Sequence, residues 1–498
     1  MSSARPGQSA IRRANGTGGW SISRHSSPVR HVVSARRLAF KAASSYSSLM
    51  GFYEDLTEQT EEFREAAEQS FRRYLSLFNI VVGPAERLEY VEALGTGTPV
   101  HHTLDRDDPM QVRYDVFMTN VVRLVSRLEM FRDFDLRQIR TLAGYQDELG
   151  GLGAGSGLTA QTVFGRIGAA QDYLMDVRDL VTEEEWTGPA ARNFQLVIGD
   201  PLQLAVVLQQ AYAQELNYSL QLLRRKIKET RANVLMIAEA AASAYNGEPT
   251  LVGVLNFLSI SATGAGLTLG GGPLAVGLGT ISLVTGIGSL VAGSDSDPET
   301  EWEISRQFDG HGLIPESVIT SVNENLDRLD TRIAGYDTDL SDALNRDRVQ
   351  PGPPPDIGTC GYDPAHPHRE LTLSSACIKV ARPTVTRGES FGEYTGNVQV
   401  ELGDLRAAGT GKLPDAADQL GSAAASLGGM VLPGWLSNHF PLFKDSWEAC
   451  RDDLSAVLGA ARDRFHDAAS ALLEIADNYQ AADLQAGSRM GGLLRRLE

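Results

Sequence analysis

A chain of 498 residues with 42% apolar content can bury a sizeable core, and a prior of about 150 residues per domain suggests about three units. Its net charge is −18, yet the first fifty residues hold eight Lys and Arg and no acid, so the remainder carries −26. An acidic body excludes nucleic acid as a partner, because phosphate contacts need basic surface, and three cysteines exclude a disulfide-rich scaffold.

Residues 1–49 are rich in Ser and Arg and lack periodicity, which predicts a disordered basic arm. Such an arm suits anionic lipid or acidic protein, and it also has the composition of a transit peptide. Equally, Met50 fits as the true start. No apolar run follows the early arginines, so no secretory signal peptide is read here.

Residues 50–150 read as a helical region. Leu56, Phe63, Ala67, Phe71, Tyr74 and Phe78 recur at helical spacing until Gly83-Pro84 interrupts them. A loop with His101-His102 leads to Asp108-Pro109, a cap and first-turn pair, and the next helix carries Phe117, Val121, Leu124, Leu128 and Phe131. The adjacent histidines have no nearby Cys and read as solvated residues, not metal ligands.

Beyond a Gly-rich linker, residues 158–245 form the most informative unit. A helix with Val163, Ile167, Leu174, Val177 and Val181 stops at Trp186-Thr187-Gly188, followed by PAARNF. Asp200-Pro201 then opens a second long helix with Leu208, Tyr212, Leu216, Leu220, Leu223 and Ile227 on one face. Gly188 permits the reversal and the Trp186 indole covers the open end of a two-helix core. With Ala190, Ala191 and Phe194 in place, this unit resembles the WXG family of helical-hairpin proteins exported by type VII (ESX) secretion systems. It departs from that pattern at Pro201, which restarts the second helix.

The stretch 249–294 has no Asp, Glu, Lys, Arg or His. Two apolar halves flank Gly270-Gly271-Gly272-Pro273, and each has the length of about 20 residues that a bilayer span requires. The pattern predicts a Gly-rich hydrophobic helical hairpin, with three fates open: a constitutive membrane hairpin, a conditionally inserting one, or the core of a helical bundle. Residues 295–346 follow as an acidic linker, without the Gly and closing Glu of a calcium loop, and a helix with Val322, Leu329, Ile333, Tyr336 and Leu340. Residues 347–395 are a Pro-rich linker in which Cys360 and Cys377 either pair or stay free; with His366 and His368 they match no usual zinc spacing.

Residues 396–486 repeat the hairpin idea. Trp447, Leu454, Ala461, Ala468 and Ile475 occupy one heptad position, and Leu458, Phe465, Leu472 and Tyr479 the other. This segment also resembles a type VII substrate domain, of the variant without a W-x-G turn. Tyr479 and Asp483 fit the family's Y-x-x-x-D/E export signal at the end of its second helix.

No catalytic constellation is present in the sequence. Gly409-Thr410-Gly411-Lys412 resembles part of a phosphate loop, but Arg406 stands where the first Gly belongs and Leu413 where a Ser or Thr would hold magnesium. No cofactor or metal site is expected. The expected fold is all-α: long amphipathic helical hairpins bundled around the central apolar one. The order of helix, hydrophobic hairpin and helix also resembles helical pore-forming toxins such as the tripartite haemolysins, in architecture alone. Together these resemblances imply a non-enzymatic actinobacterial effector or envelope protein. Its expected partners are the type VII machinery, membrane lipids, and a helical protein or further copies of itself. The alternative is an anchored structural or adaptor component retained in the producing cell's envelope.

Overall fold

The structure is a computed structural model. It describes residues 49–92, 99–144, 160–180, 186, 189–195, 199–246, 251–255, 267–268, 282–284, 300–304, 307–309, 312–348, 371–372 and 401–497. Of the described residues 85% are helical, so the fold is all-α. The long helices are α1 (Leu49–Ser76), α2 (Pro109–Glu129), α3 (Leu136–Ala143), α4 (Ala160–Leu180), α5 (Asp200–Tyr245), α6 (Pro315–Arg346), α7 (Leu413–Gly428) and α8 (Pro441–Leu497).

The organising element is α5. From 201 to 246 only Arg225, Lys228 and Asn246 are exposed, because α1, α3, α4, α6 and α8 all pack against it. The apolar stripe from Leu208 to Ile227 is therefore only part of its buried surface. Residues 202–208 and 234–245 carry Leu, Val, Ile and Ala on every face, and a helix apolar all round is a buried one. The two segments read from the sequence as hairpins pack together. Helix α7 lies against both α8 and α4, joining them into one bundle. Across that seam the Lys412 ammonium sits 2.6 Å from Asp176.

At the other end, α1 and α2 share an aromatic core in which the Phe71 and Phe117 rings lie 4.6 Å apart. The Arg113 guanidinium of α2 donates to Glu316 of α6 at 3.0 Å and to the Tyr74 hydroxyl of α1 at 2.6 Å. Between α1 and α2 the chain forms an antiparallel meander of β1 (Ile80–Val82), β2 (Leu88–Glu92) and β3 (Val100–Thr103). His101 and His102 thus lie in a strand rather than a loop, where His101 Nδ1 is 2.9 Å from Glu89 across the ladder. The β-branched run Ile80-Val81-Val82, and Tyr90 and Val91 in the facing strand, favour this pleated surface over a coil.

The apolar stretch requires a correction. Its described residues, Leu251–Leu255, Leu267–Thr268 and Ser282–Val284, are extended and not helical. Strand β4 (Leu251–Leu255) pairs antiparallel with β5 (Thr300–Ile304), register Leu251↔Ile304 to Leu255↔Thr300, and residues 267–268 pair antiparallel with 282–283. Glycine is a poor helix former and β-branched residues favour strands, so apolar length alone did not decide the conformation. The two flanks of the stretch do return to one place. Among the described residues no helix is long and apolar enough to cross a membrane.

Candidate functional site

Two features of the sequence reading can be followed on the described residues: Trp186 and the end of α8. Trp186 is 2% exposed, and its ring lies 5.7 Å from that of Phe194, itself buried beside Ala191. Among the described residues the indole N–H has no hydrogen-bond partner. The short helix Pro189–Phe194 precedes α5, which starts at Asp200 with Pro201 in its first turn, so the helix restarts where the proline requires. Gly188 lies outside the described residues, as do Cys360, His366, His368 and Cys377.

Helix α8 is held firmly at its start. Asp337 of α6 accepts hydrogen bonds from the N–H groups of Leu442 at 3.1 Å and Phe443 at 2.7 Å, capping α8 from another helix. The Trp447 indole N–H donates to the Leu216 carbonyl of α5 at 3.2 Å. Heptad residues Trp447, Leu454, Leu458, Ala461, Phe465, Ala468 and Leu472 are all buried. The Cys450 thiol is buried too, donates to the Leu344 carbonyl at 3.6 Å, and is pushed up to about 12 by burial, so it stays protonated and unreactive.

Near residue 477 this packing ends. The Arg406 guanidinium donates to Asp477 at 2.9 Å and to Gln480 at 2.6 Å, and these are exposed contacts. Tyr479 is half-buried, residues 480–489 are exposed, and Leu484 is 69% exposed. Tyr479 and Asp483 therefore sit one turn apart where α8 leaves the bundle. The Trp186 turn and this pair belong to different elements, α4–α5 and α8.

The phosphate-loop-like segment is helical. Ala408–Lys412 forms a π turn that joins Leu402–Ala407 to α7, so its backbone is committed to the helix. Pro414 explains the turn: it lacks an N–H, and its ring would crowd the Thr410 carbonyl in a regular helix. Among the described residues no group of His, Cys, Asp and Glu could hold a metal ion.

The sequence reading missed the polar cargo of α5. Gln209, Glu215, Asn217, Lys226, Glu229, Thr230, Arg231 and Asn233 are all buried. Lys226 is 3.3 Å from Glu229 and lies over the Tyr336 ring at 4.2 Å. Arg231 is 1% exposed and sits over the Phe52 ring at 4.5 Å, and its Nε and Nη2 have no hydrogen-bond partner among the described residues. Burial pulls its guanidinium down to about 10. One signal was available: residues 232–245 contain a single charged residue, Glu239, which denies this part of the helix a solvated face. No family model, curated protein or solved structure matches this chain.

Proposed function

We propose that this chain is a non-enzymatic protein exported by a type VII system, with Tyr479 and Asp483 as its address and the 249–294 stretch as its membrane-contacting part. The observation that carries this reading is the end of α8. A helix anchored at its start by Asp337 and Trp447 runs on into residues 480–489, which are all exposed, and the Tyr and Asp stand one turn apart at that transition. A receptor can reach both without opening the core. The buried Trp186 between α4 and α5 supports the same reading, as the cover of a helical hairpin.

Secretion of the full chain from a host with a type VII system tests the address. Tyr479→Ala and Asp483→Ala should each lower the amount in the culture medium at least tenfold at unchanged cellular level. Normal secretion of both variants would remove the basis of the proposal. Vesicle flotation tests the apolar stretch: wild type should float and Val276→Arg should float less, since a charge introduced into an uncharged apolar run opposes its burial in lipid. Protein extractable only with detergent from the producing cell would favour the anchored alternative.

A further inference from the structure

We propose that the outer edge of β3 pairs with the same edge of a second copy, about a two-fold axis at His102, to form one six-stranded antiparallel sheet. The proposal goes beyond the export reading and does not depend on it. It rests on an open strand edge, the hydrogen-bonding groups that edge presents, and the side chains that a two-fold axis brings level.

The meander has the order β1-β2-β3, so β3 has a strand on one side only. All four of its residues are exposed. The phase of the ladder fixes what the other side presents. The Leu104 N–H donates to the Leu88 carbonyl at 2.8 Å, whereas the Val91 N–H donates away from β3, to the Asn79 carbonyl at 2.8 Å. Backbone groups along an antiparallel strand alternate between its two sides. In the register Tyr90↔His102 and Glu92↔Val100, residues 100, 102 and 104 therefore turn their groups to β2, and His101 and Thr103 turn theirs outward. Among the described residues these two N–H and two C=O groups face no strand. Edges are usually blunted by lysine, proline or a bulge, and Val-His-His-Thr pairs without interruption and contains neither residue.

A second copy fits this edge throughout. Pairing about His102 sets His101 level with Thr103 of the second copy and Thr103 level with its His101, which joins all the outward groups in four hydrogen bonds. Centring on His101 instead would set Thr103 against Pro99, which has no N–H to offer the Thr103 carbonyl. In the favoured register His102 meets its own counterpart at a non-hydrogen-bonded position, where Cα atoms lie about 4.5 Å apart. With Tyr90 behind each histidine, a row of four aromatic rings crosses the seam. Val100, 38% exposed in the single copy, comes level with Leu104 of the second. Cross-strand aromatic and aliphatic pairs of this kind stabilise a sheet. Charge favours the same occupant. The acids of the sheet, Glu89 and Glu92, lie one strand back on β2, and each already has a histidine beside it, His101 at 2.9 Å and His102 at 3.4 Å. The edge itself carries no acid, so two copies meet without setting carboxylate against carboxylate.

A seam of this length is small, and interfaces under about 1,200 Å² are transient. The test uses the full chain with Cys360→Ser and Cys377→Ser, leaving the buried Cys450 as its only native thiol. Light scattering should show a mass that climbs from the monomer toward twice that value between micromolar and millimolar concentration. Under mild oxidation His102→Cys should cross-link two copies readily. His101→Cys should cross-link at least tenfold more slowly, because its two thiols are offset by two residues along the seam, beyond the roughly 7 Å between Cα atoms that a disulfide spans. Thr103→Pro removes an outward N–H and leaves the β2 ladder whole, and His102→Lys sets two ammonium groups level while Glu92 of the same copy balances each. Both variants should stay monomeric at an unchanged melting temperature. A wild type that is monomeric up to millimolar concentration, equal cross-linking at positions 101 and 102, or a dimer that survives either Thr103→Pro or His102→Lys would each overturn the proposal.

Discussion

Asp337 belongs to α6 yet caps α8, and its two roles pull its proton in opposite directions. Burial raises its carboxyl above the ordinary Asp range, and the N–H groups of Phe443 and Leu442 only partly offset this. The folded protein thus binds this proton more tightly than the unfolded chain does. The resulting stability is complete below the ordinary Asp value, and it is lost as pH rises through the raised folded value. Wild type should therefore gain melting temperature relative to Asp337→Asn as pH falls from neutrality toward about 4, since Asn cannot titrate. A temperature difference that stays flat with pH would show that Asp337 contributes no such term. Asp337→Ala leaves two helix N–H groups bare and should cost about 0.5–2 kcal/mol in a denaturant titration at neutral pH, and more as pH falls toward about 4.

Among the elements, the segment from Leu402 to Gly428 shows how one proline shapes a packing surface. The π turn that accommodates Pro414 brings Gly409 against α8, where an added Cβ would lie 2.9 Å from the Leu473 side chain and 3.0 Å from the Ala469 carbonyl. Gly409→Val should destabilise by about 1–3 kcal/mol by overpacking this seam, whereas Gly411→Ala, whose Cβ meets nothing, should be neutral or slightly stabilising. Urea midpoints of the two variants check the contrast. This is also the scale at which the sequence was legible. Helices α1, α2, α6 and α8 each alternate a buried stripe with a solvated face, and Phe63, Val121, Leu329 and Leu458 lie inside as their spacing indicates. Helix α5 broke that rule because neighbours on all sides bury Glu215 and Lys226 as well as Leu216, and tertiary cover leaves no trace in periodicity. Residues 251–255 broke it differently, since an uncharged Gly- and Val-rich run satisfies a helix and a strand alike until a partner such as 300–304 is found. Of the candidate sites, Trp186 and the Tyr479–Asp483 pair were readable from local pattern. Arg231 was not, because its neighbours Phe52 and Tyr53 lie far from it in the chain.

At the scale of the whole molecule, the helices from α1 to α8 are joined by ion pairs that are modest singly. Arg127 of α2 reaches Asp327 and Asp330 of α6, and Arg348 reaches Asp453 of α8 at 2.8 Å. Cohesion comes mainly from α5, whose apolar surface is shared by nearly every neighbour. That sharing has a kinetic consequence. No single neighbour can detach without exposing part of α5, so amide protons from 202 to 245 have no local route to solvent. They should exchange only when the entire bundle opens, at one common rate that tracks global stability. Amides from 481 to 489 should exchange faster by orders of magnitude. Hydrogen-exchange mass spectrometry along the chain would read this as a step at the end of α8 and a flat floor along α5. A graded profile within 202–245 would mean that the central helix opens piecemeal, and that the bundle is a stack of separable parts, not one cooperative unit.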